Sequence, residues 1–256
     1  MKKYFWIIGG FAVAILVYLL WTFYPFHQKL PEPDLPDADE PREKTAVYKS
    51  PIDFVTLQAK NPDIFGWLDI PNTDISYPLV QSPSDDTLYL THDAYGEYDR
   101  AGALFTEHLY NNNDMSDPAT VVYGHRQNDG SMFGTLQQTF SDLESFASHN
   151  SIVVYMPDGE FHYDVRAALP YDNRHILYQY DFHNAQRYDD FLYSVYDGYA
   201  LGANFTDERI STDDTLLILS TCLKGNRKNR FLVLAVLDES YSVIADITDN
   251  TKDFTK

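Results

Sequence analysis

Cysteine is almost absent from this chain: Cys222 is the single one in 256 residues. No disulfide can therefore form within it. Positive charge is nearly as scarce, with 19 Lys and Arg against 38 Asp and Glu and a formal net charge of −19. Such a surface has nothing to neutralise phosphates, which argues against a nucleic-acid partner. It is also repelled by an anionic membrane surface, so any membrane attachment must come from something other than charge. No internal repeat is visible. Apolar residues, by contrast, make up 44% of the chain and aromatics 15%, which excludes general disorder. The length suits one large domain with an appendage.

The appendage is legible at the N-terminus. From Tyr4 to Phe23 the chain carries no charge over twenty residues. At 1.5 Å per residue a helix of that length spans about 30 Å, the thickness of a bilayer's hydrocarbon core. Lys2 and Lys3 precede the run, and Trp21 and Tyr24 stand at its far end as interfacial anchors. The positive-inside bias places the N-terminus in the cytoplasm and the remainder outside the cell. A cleaved signal peptide is the competing reading. The run is long for a signal core, however, and bulky Tyr24, Pro25, Phe26 and His27 follow where a small-residue cleavage site belongs. Residues 1–25 are thus read as cytoplasmic start and transmembrane anchor, and 26–47 as an acidic, Pro-rich linker extended in solvent. The folded domain is placed at 48–248 and a polar tail at 249–256.

Within that domain the expected order begins with a short helix from Ile52 to Leu57. Strand-like stretches follow at Gly66–Ile70, Ile75–Val80, Gly102–Thr106, Thr120–Tyr123, Ile152–Met156, Phe161–Ala168, Thr215–Leu219 and Phe231–Leu237. Pro157-Asp158-Gly159 reads as a turn in which proline presets one dihedral and glycine permits positive φ. Eight or so short strands with long polar connections predict a mainly β fold, a closed or nearly closed antiparallel barrel. Two helical insertions are expected, Met132–Phe146 and Ala185–Tyr199. In the second, Tyr188, Phe191, Leu192, Val195, Tyr196 and Tyr199 recur at helical spacing, as in a helix face turned to a core.

A lone thiol outside the cell is an oxidation hazard, so its retention asks for a reason. The plain alternative is a small buried hydrophobe. Cys222 closes the apolar run from Thr215, and a strand end is a rigid mount for a nucleophile. The following segment, Leu223–Asn229, reads as a loop containing Lys224, Arg227 and Lys228. Nearby positive charge favours thiolate, although these cations also serve simply to solubilise a loop. Arg230 opens the next apolar strand, and a hairpin would bring it beside the thiol. There a guanidinium can stabilise an oxygen gaining negative charge. Arg227 is an alternative for that role. Among eight histidines, His125 alone follows a strand-then-glycine junction. His92 and His108 are less easily set aside than His27, His149, His162, His175 and His183, which sit in juxtamembrane, polar or turn contexts. Cys, His and Arg together suggest acyl transfer through a thioester.

The segment Tyr123-Gly-His-Arg-Gln-Asn-Asp-Gly-Ser-Met-Phe-Gly-Thr-Leu136 resembles the catalytic-histidine region of sortases, particularly class B. Leu219-Ser-Thr-Cys222 is similar to their cysteine signature, and Arg230 before an apolar strand to their essential arginine. Asn61-Pro-Asp-Ile-Phe-Gly-Trp-Leu68, Thr73-Asp-Ile-Ser-Tyr-Pro-Leu-Val-Gln81 and Ala101-Gly-Ala-Leu-Phe105 agree in the same order. The class assignment rests on the helix at 185–199 in the long connection before the cysteine strand.

The resemblance implies an eight-stranded barrel and a cysteine transpeptidase anchored in the membrane of a Gram-positive cell, catalytic domain outside. Such an enzyme cleaves a sorting-signal pentapeptide near a surface protein's C-terminus. It holds the product as a thioester and passes it to an amine of cell-wall precursor. It implies Cys222 as nucleophile, His125 as proton-transfer partner and Arg230 as charge stabiliser. Ser220, Leu177 and Tyr178 fall where substrate is bound. No cofactor is implied. Acidic pairs at Asp85-Asp86, Asp189-Asp190 and Asp213-Asp214 match no metal-ligand pattern, so no metal is expected. A pilin-polymerising enzyme using a lysine amine is an alternative. The polar ending Thr251-Lys-Asp-Phe-Thr-Lys256 favours cell-wall anchoring over it. A non-catalytic surface scaffold is another. It predicts that Cys222→Ala leaves the biological role intact.

Overall fold

A computed structural model describes residues 48–197, 202–240 and 242–244. The expected anchor at 4–24, the whole linker at 26–47 and the polar tail at 249–256 lie outside the described residues. Among the described residues no helix is long and apolar enough to cross a membrane.

Among the described residues ten strands form one sheet. They are β1 (Ile64–Asp69), β2 (Ser76–Val80), β3 (Leu104–Phe105), β4 (Ala119–Tyr123) and β5 (Ser151–Tyr155). After them come β6 (Gly159–Tyr171), β7 (Asn204–Phe205), β8 (Leu216–Leu223), β9 (Asn226–Leu237) and β10 (Val243–Ile244). Pairing runs β6-β5-β1-β2-β3-β4-β8-β9, and β9 pairs back onto β6. Those eight strands close a barrel, while β7 and β10 are appended to β6. Closure depends on the length of β6. Its residues Glu160–Asp164 pair with β5 and Tyr163–Tyr171 with β9, and the β9 ladder carries a register shift between Val165 and Ala167 just past the end of the β5 pairing.

The barrel is not wholly antiparallel, as the strand pattern had suggested. β2–β3 and β4–β8 are parallel pairs. Parallel neighbours require a crossover, and the long connections supply it.

The two faces of the wall bury different partners. Val122, Leu217, Leu219, Phe231 and Val233 turn into the barrel interior with Leu68, Leu79 and Phe133. The alternate positions Val121, Leu216, Ile218, Leu232 and Leu234 turn outward against the helical insertion. With both faces covered, these strands read as unbroken apolar runs.

Among the described residues the α-helices are α1 (Phe54–Lys60), α2 (Leu136–Ser141), α3 (Leu143–Ser148), α4 (Ile176–Gln179) and α5 (Ala185–Tyr196). The helix expected over 132–146 is in fact two short ones, α2 and α3. Asp142 is extended between them and its side chain caps α3. Met132 itself has φ of 53°, outside any right-handed helix. On α5, Asn184 accepts hydrogen bonds from the Gln186 and Arg187 amides, and Tyr188, Phe191, Leu192 and Val195 are buried at helical spacing. Phe191 is fully buried and meets Phe182 and Tyr180 edge-on at 5.1 and 5.4 Å. Its burial contributes about 2–3 kcal/mol.

Candidate active site

Three strands converge at one end of the wall. β4 and β8 run in parallel register from Ala119↔Leu216 to Tyr123↔Ser220, and the Gly124 amide continues the ladder to the Ser220 carbonyl at 3.2 Å. Two residues beyond that pair along each chain stand His125, just past the end of β4, and Cys222, so the two positions follow neighbouring strands at the same level. On the other side Cys222 is the direct antiparallel partner of Arg230 in β9. Directly paired residues share a face, and here the guanidinium Nη1 lies 3.8 Å from the Cys222 Sγ. That nitrogen also donates to the Arg227 carbonyl at 3.4 Å. Cys222 is partly accessible rather than sealed in the core.

The expected loop after Cys222 is a tight hairpin instead. β8 continues to Leu223, β9 begins at Asn226, and Gly225 turns the chain with φ of 84°. The Lys224 amide is held by the Gln137 side chain at 2.8 Å. Arg227 and Lys228 are exposed strand residues at the hairpin tip, and Arg227 reaches Arg230 through its main-chain oxygen. Of the two arginines, Arg230 alone brings its side chain to the sulfur.

His125 is held at two points. Its carbonyl accepts from the Phe133 amide at 3.0 Å, and its Nε2 lies 2.8 Å from the Leu90 carbonyl. Gly124 before it has no space for a side chain, since a Cβ would stand 2.4 Å from Leu104 Cδ2 and 2.6 Å from Phe133 Cδ2.

Beside this trio the structure places a second polar group. His175 Nε2 approaches the Glu107 carboxylate at 2.9 Å, and its Nδ1 accepts from the Tyr178 amide at 3.1 Å. An acceptor Nδ1 puts the neutral ring's proton on Nε2, facing the carboxylate. The imidazole packs against Tyr110 at 4.8 Å and Tyr123 at 6.3 Å between ring centres. The Tyr123 hydroxyl is buried beside the Glu107 carboxylate. Burial, and then the negative charge of Glu107, pushes that phenol far above its ordinary range, while Arg230 opposes the shift. Nothing local in the sequence marks this group: Glu107 and His175 lie 68 residues apart. His175 reads there as a turn residue.

Ser220 is buried, its carbonyl tied to Gly124. Tyr178 is 78% exposed on α4. Leu177 lines a cavity of about 170 Å³ with Tyr110, Asp117, Ala119, Tyr180 and His183. Ala119 opens β4, so that cavity begins about 20 Å along the strand from His125. His108 pairs with Asp86 at 2.6 Å, and His92 meets the Leu88 carbonyl at 3.0 Å. Asp190 pairs with Arg187, and Asp214 accepts from the Ser211 amide. Among the described residues no cluster of three or more His, Cys, Asp or Glu could hold a metal ion.

Residues 68–238 match the sortase domain model. The chain belongs to the sortase family. It is a class B sortase, a cysteine transpeptidase, and its relatives agree. It is 32% identical over 181 residues to sortase B of Listeria monocytogenes, covering 69% of this chain and 70% of that one. A crystal structure of a sortase B-like protein from Bacillus anthracis superposes with a TM-score of 0.63 at 30% identity, covering 75% of this chain and 88% of the other. A Staphylococcus aureus sortase B–substrate complex superposes with the same TM-score at 25% identity, over 72% and 84% of the two chains.

Proposed function

We propose that this sortase cleaves a sorting-signal peptide near the C-terminus of surface proteins and transfers the acyl product to an amine of cell-wall precursor. Cys222 attacks the scissile carbonyl. The sulfur–carbon bond forms, the carbon–nitrogen bond breaks, and the leaving amine takes its proton from the imidazolium of His125. The acyl-enzyme is a thioester. In the second half the incoming amine gives a proton back to His125, forms the new amide and releases the thiolate. Arg230 donates to the carbonyl oxygen while it carries negative charge. Leu177 and Tyr178 line the peptide's path, and Ser220, buried beside the nucleophile, backs it.

One observation carries this reading: the Arg230 guanidinium stands 3.8 Å from the Cys222 sulfur at the strand level of His125. A scaffold protein has no use for a half-exposed thiol with an arginine aimed at it. The uncharged run at 4–23 would tether the enzyme, with its N-terminus inside and the barrel outside.

The test is a library of fluorogenic sorting-type peptides offered to the purified full chain and to Cys222→Ala, with candidate amines added. The native chain is expected to cleave one class of peptide and to show a covalent mass increase that hydroxylamine removes. The accepted amine, cell-wall peptide or lysine side chain, identifies the acceptor. Equal turnover by Cys222→Ala would reject the mechanism.

A further inference from the structure

We propose that the Leu90 carbonyl, seated by Gly102, is the positioning partner of His125 and makes Nδ1 the ring nitrogen that exchanges protons. This rests on the acyl-transfer reading and adds to it the atom and the device that orients it. A catalytic imidazole is ordinarily held by a group on one nitrogen so that the other faces the reaction. Among the described residues, the hydrogen-bond partner of the His125 side chain is a main-chain oxygen, that of Leu90, at 2.8 Å from Nε2. A carbonyl only accepts, so Nε2 must carry the hydrogen in every protonation state. The nitrogen that gains and loses a proton is then Nδ1.

The carbonyl needs a mount of its own, and the chain supplies one. Leu90 ends the 3-10 turn Leu88–Leu90 in the β2–β3 connection. Gly102 packs under that turn with φ of 65°, a conformation that glycine adopts without strain. A Cβ there would lie 2.5 Å from the Tyr89 oxygen, 3.1 Å from the Leu90 oxygen and 3.2 Å from His125 Cδ2. The next amide, Ala103, donates to the Tyr89 carbonyl at 3.0 Å and fixes the turn to the start of β3. Leu90 and Gly102 thus grip one edge of the ring, Nε2 and Cδ2, and leave the Nδ1–Cε1 edge for chemistry. In acylation the Nδ1 proton passes to the leaving nitrogen as the carbon–nitrogen bond breaks. In transfer the incoming amine returns one proton to Nδ1 as thiolate departs. The Nε2–H···O bond persists through both halves.

Two measurements test this on the full chain. Long-range proton–nitrogen spectra of histidine-labelled protein, with the His125 signals identified by their loss in His125→Gln, report which nitrogen is bare in the neutral ring. A bare Nδ1 with protonated Nε2 is expected. A protonated Nδ1, or rapid exchange between the two tautomers, overturns the proposal, and turnover plays no part in the readout. The second measurement compares two glycines of one connection. Gly96 has φ of 84° with nothing within 4 Å of its would-be Cβ, so Gly96→Ala carries the backbone strain of Gly102→Ala without touching the turn or the ring. Gly102→Ala should lower kcat roughly tenfold to a hundredfold with KM within about twofold, whereas Gly96→Ala leaves both within about twofold. Equal kcat in the two variants overturns the positioning role. Should Gly102→Ala fail to fold, the tautomer measurement on the native chain still decides. Loss of the acyl-transfer reading itself would show separately, as turnover by Cys222→Ala.

Discussion

Arg230 and Arg227 offer the sharpest test of the site. Both are cations of the same hairpin, three residues apart, and composition does not tell them apart. Their geometry does. Arg230 is the cross-strand partner of Cys222, with Nη1 at 3.8 Å from the sulfur. An oxygen on the carbon that the sulfur attacks falls within reach of that guanidinium. Arg227 is exposed and meets Arg230 only through its carbonyl. Removing a single donor to such an oxygen costs about 3–4 kcal/mol, or 10²–10³ in rate. Arg230→Ala should therefore lower kcat/KM on the cleaved peptide by about 10²–10³, while Arg227→Ala stays within about threefold. Arg230→Lys keeps the charge but loses the fork of donors, so it should restore less than about tenfold of the loss. Because Arg230 is partly exposed and outside both cores, its alanine variant should melt within about 2 °C of the native chain. Steady-state peptide cleavage and a thermal melt on each variant suffice. If Arg230→Ala retains nearly native turnover and Arg227→Ala loses two orders of magnitude, the role passes to the hairpin tip and the register argument fails.

Three further outcomes follow from the same structure. Gly124→Ala forces a methyl against Leu104 and Phe133, which should cost about 1–3 kcal/mol and lower the melting temperature by about 2–10 °C; an unchanged melt would show that the wall yields there. His175→Asn keeps a side chain able to cap α4 but cannot span to Glu107, so peptide KM should rise about fivefold, one hydrogen bond's worth, with kcat held. A fall in kcat instead would place His175 in the chemistry. Asn184→Ala removes the cap of α5 and should destabilise the domain by about 1 kcal/mol in a denaturant titration, a result that an unchanged midpoint would contradict.

Much of this molecule could be read from residue order, and what could not has a common cause. Strands such as Phe231–Leu237 announce themselves because both faces are buried, and the α5 face shows in the spacing of Tyr188, Phe191, Leu192 and Val195. Direction was hidden: nothing in Thr120–Tyr123 tells whether its neighbour runs with or against it, and β4 pairs in parallel. The segment after Cys222 read as a loop because its residues are polar. They are polar because a hairpin tip stands in solvent, and Gly225 supplies the turn. The trio of Cys222, His125 and Arg230 was legible because each borders an apolar run: Cys222 closes one, His125 follows one after a glycine, and Arg230 precedes Phe231–Ala235, although β9 itself begins earlier, at Asn226. The Leu90 carbonyl was not, since a main-chain oxygen has no signature. Glu107 and His175 meet only through the fold, and each looks ordinary among its own neighbours.

The parallel pairing of β4 with β8 bears on when this protein becomes reactive. A thiol and a guanidinium in one hairpin meet as soon as that hairpin forms, yet the imidazole is brought alongside only after the intervening ninety-odd residues have been threaded around and the wall has shut. Contacts so distant along the polypeptide are late and slow to form. Competence for chemistry therefore rests on the β4–β8 pairing, the long-range contact that brings the positions of ring and sulfur onto adjacent strands.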